Sequence, residues 1–417
     1  MLKDTQLIGN RYRLVERIGR GGMGEVYEAL DRLTGQSVAL KRVAVDSEKS
    51  TASSKNASRD FRLALAQEFR TLASLRHPNI ISVLDYGFDA ARQPFFTLEL
   101  LHNAQPIVRY AANEEFPRQL ELLVQMLHAL AYLHRRGIVH RDVKPDNVMV
   151  VADQVKVLDF GLAIAREHTE DSSATVGTIA YMAPEVLQSE PTSEASDLYA
   201  VGVISYELFG GKHPFHTESL STLLQEVLLT VPDTQPLLVD DSLKSIVSKL
   251  LAKKPEQRPA TANDVIQMFI DSGHYPPRPE AVSIRESYLQ AARFVGREPE
   301  LQRLSASLSG LLNGVGESWL IAGESGIGKS RLLDEIRTQA VVNGVLVLRG
   351  QAISEGGRPY ELWREALRLL SLQGEIDDDD AMILRSLIPD LPALLGRYIP
   401  DTPPQTPPER LMVAIEQ

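Results

Sequence analysis

Hydrophobic and polar residues alternate with a period of two through residues 13–44, broken by turn signals at 19–24 and 33–35, which predicts a small antiparallel sheet. The period then changes. Across residues 60–76, Phe61, Leu65, Leu72 and Leu75 share one helical stripe, and Glu68 falls inside it. A carboxylate on a buried face needs a cation, since breaking a buried pair costs on the order of 3–5 kcal/mol. Lys41, whose stem is buried by alternation in the strand predicted at 37–41, is the expected partner. Residues 46–60 are polar and Ser-rich and read as a loop. His77-Pro78-Asn79 ends the helix, and strands are predicted at 80–86 and 94–100. A long helical pattern over 116–136 stops at Gly137, and a nearly all-apolar helix is predicted at 197–211. Between them, the β-rich runs 148–151 and 155–158 flank a turn at Ala152-Asp153-Gln154. That hairpin would bring Asn147 and Asp159 to one end.

Past a Pro-rich linker near residues 273–280, a second pattern begins at FVGREPELQRL. Strands are predicted at 318–322 and 345–348. Gly323, Gly328, Lys329 and Ser330 fit GxxxxGK[ST] between a strand and a helix. Backbone amides of such a loop cradle phosphates, with Lys329 on the β and γ phosphates and Ser330 on Mg²⁺. Hydrolysis would also need a later apolar strand ending in an acidic residue, and none is found between 330 and 417. The nearest match, 236–241, precedes the loop, and Asp241 there reads as a helix start. The acidic run 375–380 reads as a solvated loop and PPERLMVAIEQ as a helix, so this domain is expected to be partial and truncated.

Composition adds bounds. The chain has 417 residues, 43% hydrophobic and 24% charged, enough for two or three globular domains. A formal charge of -11 argues against general binding to nucleic acid or anionic membranes. Without cysteine there are no disulfides or thiolate metal sites, which fits a cytoplasmic protein. The N-terminus lacks a signal-peptide core, and no window reaches the roughly 18 apolar residues of a membrane span.

The chemistry concentrates at HRDVKPDN (140–147) and at DFG (159–161). An amide and a carboxylate on adjacent strand ends make an oxygen-rich site of the kind Mg²⁺ prefers. The glycines of IGRGGMGEVY, namely Gly19, Gly21 and Gly24, form GxGxxG. A dinucleotide fold would need a helix directly afterwards, and residues 25–30 carry no helix start. Together with VALK at 38–41 and APE at 183–185, these motifs resemble the eukaryotic-type Ser/Thr protein kinases of bacteria over about residues 12–270. The start VGRE with GESGIGKS resembles the AAA-like P-loop ATPase modules that follow kinase domains in large bacterial signalling proteins.

The resemblance implies an α+β two-lobed kinase fold followed by a partial α/β P-loop NTPase domain. Its divisions would be an N-terminal extension (1–11), a kinase domain (12–272, lobes 12–101 and 102–272), a linker (273–292) and the P-loop domain (293–417). It implies ATP and Mg²⁺, with Mn²⁺ as the alternative ion. ATP would be held by Ile18, Gly19, Gly21, Gly24, Val26, Ala39, Lys41, Glu99 and Leu101, with Leu98 guarding a rear pocket. Asp142 would be the base, Lys144 would neutralise the γ-phosphate, Glu68 would pair with Lys41, and Asn147 and Asp159 would hold the metal. Asp197 would brace the catalytic loop, Thr178 would touch Asp142 and Lys144, and Glu185 with Arg258 would form a structural ion pair. Ser172, Ser173 and Thr175 are the candidate phosphosites, modified in trans by a second copy and paired to Arg141. The implied partners are protein substrates, with neither nucleic acid nor a membrane. Two other readings compete: a pseudokinase scaffold, against which the intact catalytic set speaks, and a nucleotide-gated switch at Lys329 with the kinase as output.

Overall fold

The alternating pattern near the N-terminus builds a six-stranded sheet in the computed structural model, which describes residues 7–21, 24–43, 75–89, 93–159, 176–277, 296–352, 360–403 and 407–416. Strands β1 (Leu7–Ile8), β2 (Tyr12–Gly21), β3 (Gly24–Asp31), β4 (Ser37–Val43), β5 (Val83–Phe88) and β6 (Pro94–Glu99) lie in the order β1-β2-β3-β4-β6-β5, antiparallel from β1 through β6. One face packs Ile8, Tyr12, Leu14, Leu40 and Phe95 into a core. Part of the expected N-terminal extension belongs to this sheet. Ile8 is buried, and Arg11 bridges Asp31 at 2.7 Å and Asp85 at 2.6 Å. Strand β5 also starts later than predicted, since Ile80 makes only an isolated bridge to Val157.

The chain divides into two units. The sheet and Arg297–Gln417 form one; Glu48–Val83 and Leu101–Gly296 form the other. In the second unit, β8 (Val148–Val151) pairs antiparallel with β9 (Gln154–Val157), with β7 (Gln105–Pro106) on the outer edge. Ala152 and Asp153 take φ of 45° and 66°, the left-handed conformation that matches a two-residue turn to strand twist. The hairpin packs on the helix Phe116–His134, and Glu194–Gly210 runs through the core. This central helix begins three residues before Asp197, because Ser193 and Ser196 form a capping box around its first turn. Gly202 is required within it: a Cβ there would lie 2.8 Å from the Cβ of Leu250. Glu185 and Arg258 form the expected pair, bidentate at 2.8 Å and fully enclosed. Asp240 caps the helix Asp241–Leu250 by accepting from the Leu243 amide.

Residues 296–416 are helical where they are regular, with helices at Glu298–Leu311, Lys329–Val342, Arg364–Leu370, Asp378–Leu384, Leu391–Leu395 and Pro408–Glu416. The strands predicted at 318–322 and 345–348 are not formed among the described residues. A strand exists through its ladder partners, and these apolar runs have none there; Leu320 is 93% exposed. The acidic run is also corrected. Asp377 caps a helix by accepting from the Asp380 amide, and Asp378, Asp379 and Asp380 occupy a first turn where the dipole favours negative charge. A separate apolar cluster centres on Leu384, Ile388, Leu391 and Ile399. No helix among the described residues is long and apolar enough to cross a membrane.

Candidate active site

In the sheet, register decides which side chains share a face. Gly19 opposes Val26, Val26 opposes Lys41, Lys41 opposes Phe96, and Ala39 opposes Leu98. Directly opposed residues point the same way, as do residues two apart, so Gly19, Val26, Ala39, Lys41, Phe96 and Leu98 line one face. Lys41 is 5% exposed, with its ammonium 5.8 Å from the Phe96 ring centroid. Ile18 is the extra residue at an irregularity between Arg17 and Gly19, half exposed at the sheet's rim. Gly21 pairs with Gly24, whose φ of 130° suits glycine. Glu99 opposes Val38 and therefore faces away from Lys41. Glu68 lies outside the described residues, as do Ser172, Ser173 and Thr175.

In the helical unit the loop at 140–147 hangs from one carboxylate. Asp197, 1% exposed, accepts from the His140 amide at 2.8 Å, the Arg141 amide at 2.9 Å and the His134 ring at 2.8 Å. Arg141 is held at φ 69°, an uncommon conformation that these bonds fix in place. The His140 ring joins the loop to the hairpin. Its Nδ1 accepts from the Asp142 amide at 3.3 Å and its Nε2 donates to the Leu158 carbonyl at 2.9 Å, which requires the neutral Nε2–H tautomer. Burial pushes its pKa below the usual range, consistent with that neutral ring. Sequence reasoning gave no role to His140 or His134. His140 stood inside the HRDVKPDN motif without a role of its own, and His134 only at the end of an apolar helix.

Around Asp142 the polar groups converge. Lys144 donates to both carboxylate oxygens at 3.2 and 3.0 Å and to the Thr178 hydroxyl at 3.2 Å. The Asn147 amide donates to the Asp142 carbonyl at 2.8 Å and to its carboxylate at 2.9 Å. The Leu158 amide donates to the Asn147 carbonyl at 2.8 Å, tying the base of Asp159 to Asn147. Asp159 is held at φ 52°. An amide oxygen and a carboxylate are hard donors suited to a divalent cation such as Mg²⁺, so these residues fit such an ion. Nearby, the Tyr181 hydroxyl donates to Glu207 at 2.8 Å, and burial raises the Glu207 carboxyl to about 6. Neither residue was singled out in the sequence.

At the second motif, Gly323, Gly326 and Gly328 take φ of 158°, 82° and 94°, and Gly328 caps the helix Lys329–Val342. The Lys329 ammonium folds back onto the carbonyls of Gly323 at 2.8 Å and Glu324 at 2.7 Å. Ser330 is exposed. A cavity of about 250 Å³ lies alongside, lined by Arg297, Trp319, Ile327 and Lys329 among others. A glycine loop opening a helix, with a lysine close by, is the donor set a phosphate chain requires.

Residues 12–270 match the protein kinase domain family and residues 293–417 match the AAA ATPase domain family. The DNA damage-responsive serine/threonine-protein kinase RqkA of Deinococcus radiodurans is 38% identical over 270 residues, covering 62% of this chain and 39% of that protein. Serine/threonine-protein kinase PknA of Mycobacterium tuberculosis is 34% identical over 284 residues, covering 65% and 64%. A probable serine/threonine-protein kinase of Streptomyces coelicolor, SCO3848, is 32% identical over 284 residues, covering 63% and 40%. The chain thus spans between 39% and 64% of the length of these relatives.

Proposed function

This chain belongs to the protein kinase domain family, and from that premise we propose that it is a serine/threonine protein kinase that moves the γ-phosphoryl group of ATP onto Ser or Thr hydroxyls of proteins. The observation that carries the reading is the convergence of Lys144 and Asn147 on Asp142, with the Thr178 hydroxyl bonded to Lys144, in a loop suspended from the buried Asp197. Phosphoryl transfer needs positioning and charge neutralisation more than covalent chemistry from the protein. The substrate oxygen bonds to the γ-phosphorus, the bond from the γ-phosphorus to the β–γ bridging oxygen breaks, and ADP leaves. Asp142 takes the hydroxyl proton. Lys144 offsets negative charge on the transferring group and Lys41 does so on the α and β phosphates. Mg²⁺ bound by Asn147 and Asp159 would neutralise charge on the phosphate oxygens. The glycine hairpin, Val26 and Ala39 enclose the nucleotide, and Glu99 and Leu101 hold its base through their backbone.

Ser172, Ser173 or Thr175 is the proposed autophosphorylation site, modified by a second copy, and Arg141 is the cation that would receive the phosphate. The second motif is proposed to bind a nucleotide through Lys329 and Ser330. We also propose a cytoplasmic location, where the ATP that this reaction needs is available. The test is transfer of labelled γ-phosphate from Mg-ATP to the protein itself and to a basic protein substrate, with identification of the modified amino acid. Phosphoserine or phosphothreonine formed by the wild type and lost in Asp142→Asn supports the reading. Transfer that persists in Asp142→Asn excludes Asp142 as the base.

A further inference from the structure

The turn between β3 and β4 lies at the end of those strands remote from the glycine hairpin, and it is fastened from two sides. On its own side the Asp31 carboxylate is the anchor. It accepts from Arg11, from the Leu33 amide at 3.0 Å and from the Thr34 hydroxyl at 2.9 Å, and Arg11 holds its carboxyl below the usual carboxylate range. On the other side stands the helical segment 360–416. Leu33 packs against that segment's apolar cluster. The polar contacts are reciprocal: Arg368 donates to the Leu33 carbonyl at 2.7 Å, while Arg32 donates to the Leu394 carbonyl at the end of the helix Leu391–Leu395. Arg368 is itself oriented by Asp390 at 2.6 Å. Gln373 also lies 3.5 Å from the Gly9 carbonyl. A side chain from each partner therefore satisfies a backbone carbonyl of the other around an apolar contact, which is the anatomy of an interface.

We infer that segment 360–416 is a built-in clamp on this turn, an interaction surface that controls ATP affinity in the kinase domain. The inference rests on the kinase reading for its output alone. Asp31 ends β3, which carries Gly24 and Val26, and Ser37 begins β4, which carries Ala39 and Lys41. Fixing the turn that joins them restricts both strands before nucleotide arrives, and restricting a site in its bound form lowers the ordering cost of binding. Undocking returns that cost. Control is then a two-state equilibrium, docked or released, which ATP and the helical segment bias reciprocally. A cavity of about 500 Å³ lies beside the contact, lined by Arg13, Arg32, Arg368 and Asp390 together with Leu7 and Leu30.

The test is hydrogen exchange on the full chain without nucleotide, comparing wild type, Leu33→Glu, Arg368→Ala and the conservative Leu33→Met. In Leu33→Glu and Arg368→Ala, amides of 32–36 and of 384–395 are expected to exchange about tenfold faster together, with Leu33→Met behaving as wild type. In the same variants the KM for ATP in phosphotransfer is expected to rise about threefold with kcat within about twofold of wild type. Exchange that stays unchanged, or that rises only in 32–36, overturns the clamp. So does joint loss of protection with an unaltered KM. Protection that depends on protein concentration would assign the docked helices to a second copy and overturn the intramolecular form. Exchange requires no catalysis, so failure of the kinase reading would leave this readout intact.

Discussion

The loop around Asp142 and the loop around Lys329 are both phosphate-handling motifs by sequence, yet they are supported in opposite ways. The first is gripped from outside itself. Asp197, on a helix that begins 50 or so residues later, fixes His140 and Arg141, and His140 in turn reaches the hairpin through Leu158. The second is held by its own short range: Lys329 bonds carbonyls five and six residues back, residues 323–327 are exposed, and the adjoining 318–322 segment has no ladder. A motif specifies which atoms can meet a phosphate. Whether those atoms are already positioned depends on distant residues, and here only one loop has them among the described residues.

Substitutions can break or sharpen that contrast. The largest effect is expected from Asp142→Asn, which keeps the shape and removes the proposed base; phosphotransfer should fall by about 10²–10⁴-fold while the unfolding midpoint moves little. Next is Arg258→Ala, which strands Glu185 in the core after loss of its bidentate partner. Denaturant unfolding of the kinase domain should show a loss of about 3–5 kcal/mol. No comparable change is expected in helices 298–311 and 329–342, which the pair does not touch.

A smaller effect, of opposite sign, is expected at Glu207. Burial raises its carboxyl to about 6, above its ordinary value, so between pH 4.5 and 6 the folded state binds more protons than the unfolded state. The stabilising contribution of the neutral acid is complete below the lower value and is lost as pH rises through the higher one. Glu207→Gln, which keeps an acceptor for the Tyr181 hydroxyl, should therefore stabilise the protein at pH 7 by roughly 1–2 kcal/mol. It should also flatten the stability profile across that window. A variant no more stable than wild type at pH 7 would contradict the assignment. The smallest effect is expected from Lys329→Ala: phosphotransfer within about twofold of wild type, with nucleotide-dependent thermal stabilisation of the C-terminal module reduced.

The contrast also explains what the sequence could and could not reveal. The hairpin at 148–157 was readable because two β-rich runs flank a short turn, and the burial of Lys41 because alternation assigns it. Each rests on neighbours in sequence, whereas Val26 and Ala39 came in only through the family resemblance. The central helix was misplaced by three residues because its start is set by the Ser193 cap, which lies outside the apolar run. The run 375–380 looked like a loop by charge, although the same carboxylates suit a helix start. Strands at 318–322 and 345–348 were inferred from apolar content, which supplies no ladder partner. Least readable was the contact between Arg368 and Leu33, residues 335 apart and without any shared pattern.

The most direct measurement is phosphate transfer from Mg-ATP by wild type, Asp142→Asn and Lys329→Ala, assayed side by side on the same protein substrate. Signal abolished in Asp142→Asn and retained in Lys329→Ala is the predicted result, with the chemistry at the externally braced loop. Signal retained in Asp142→Asn and abolished in Lys329→Ala would contradict it and move the reaction to the P-loop.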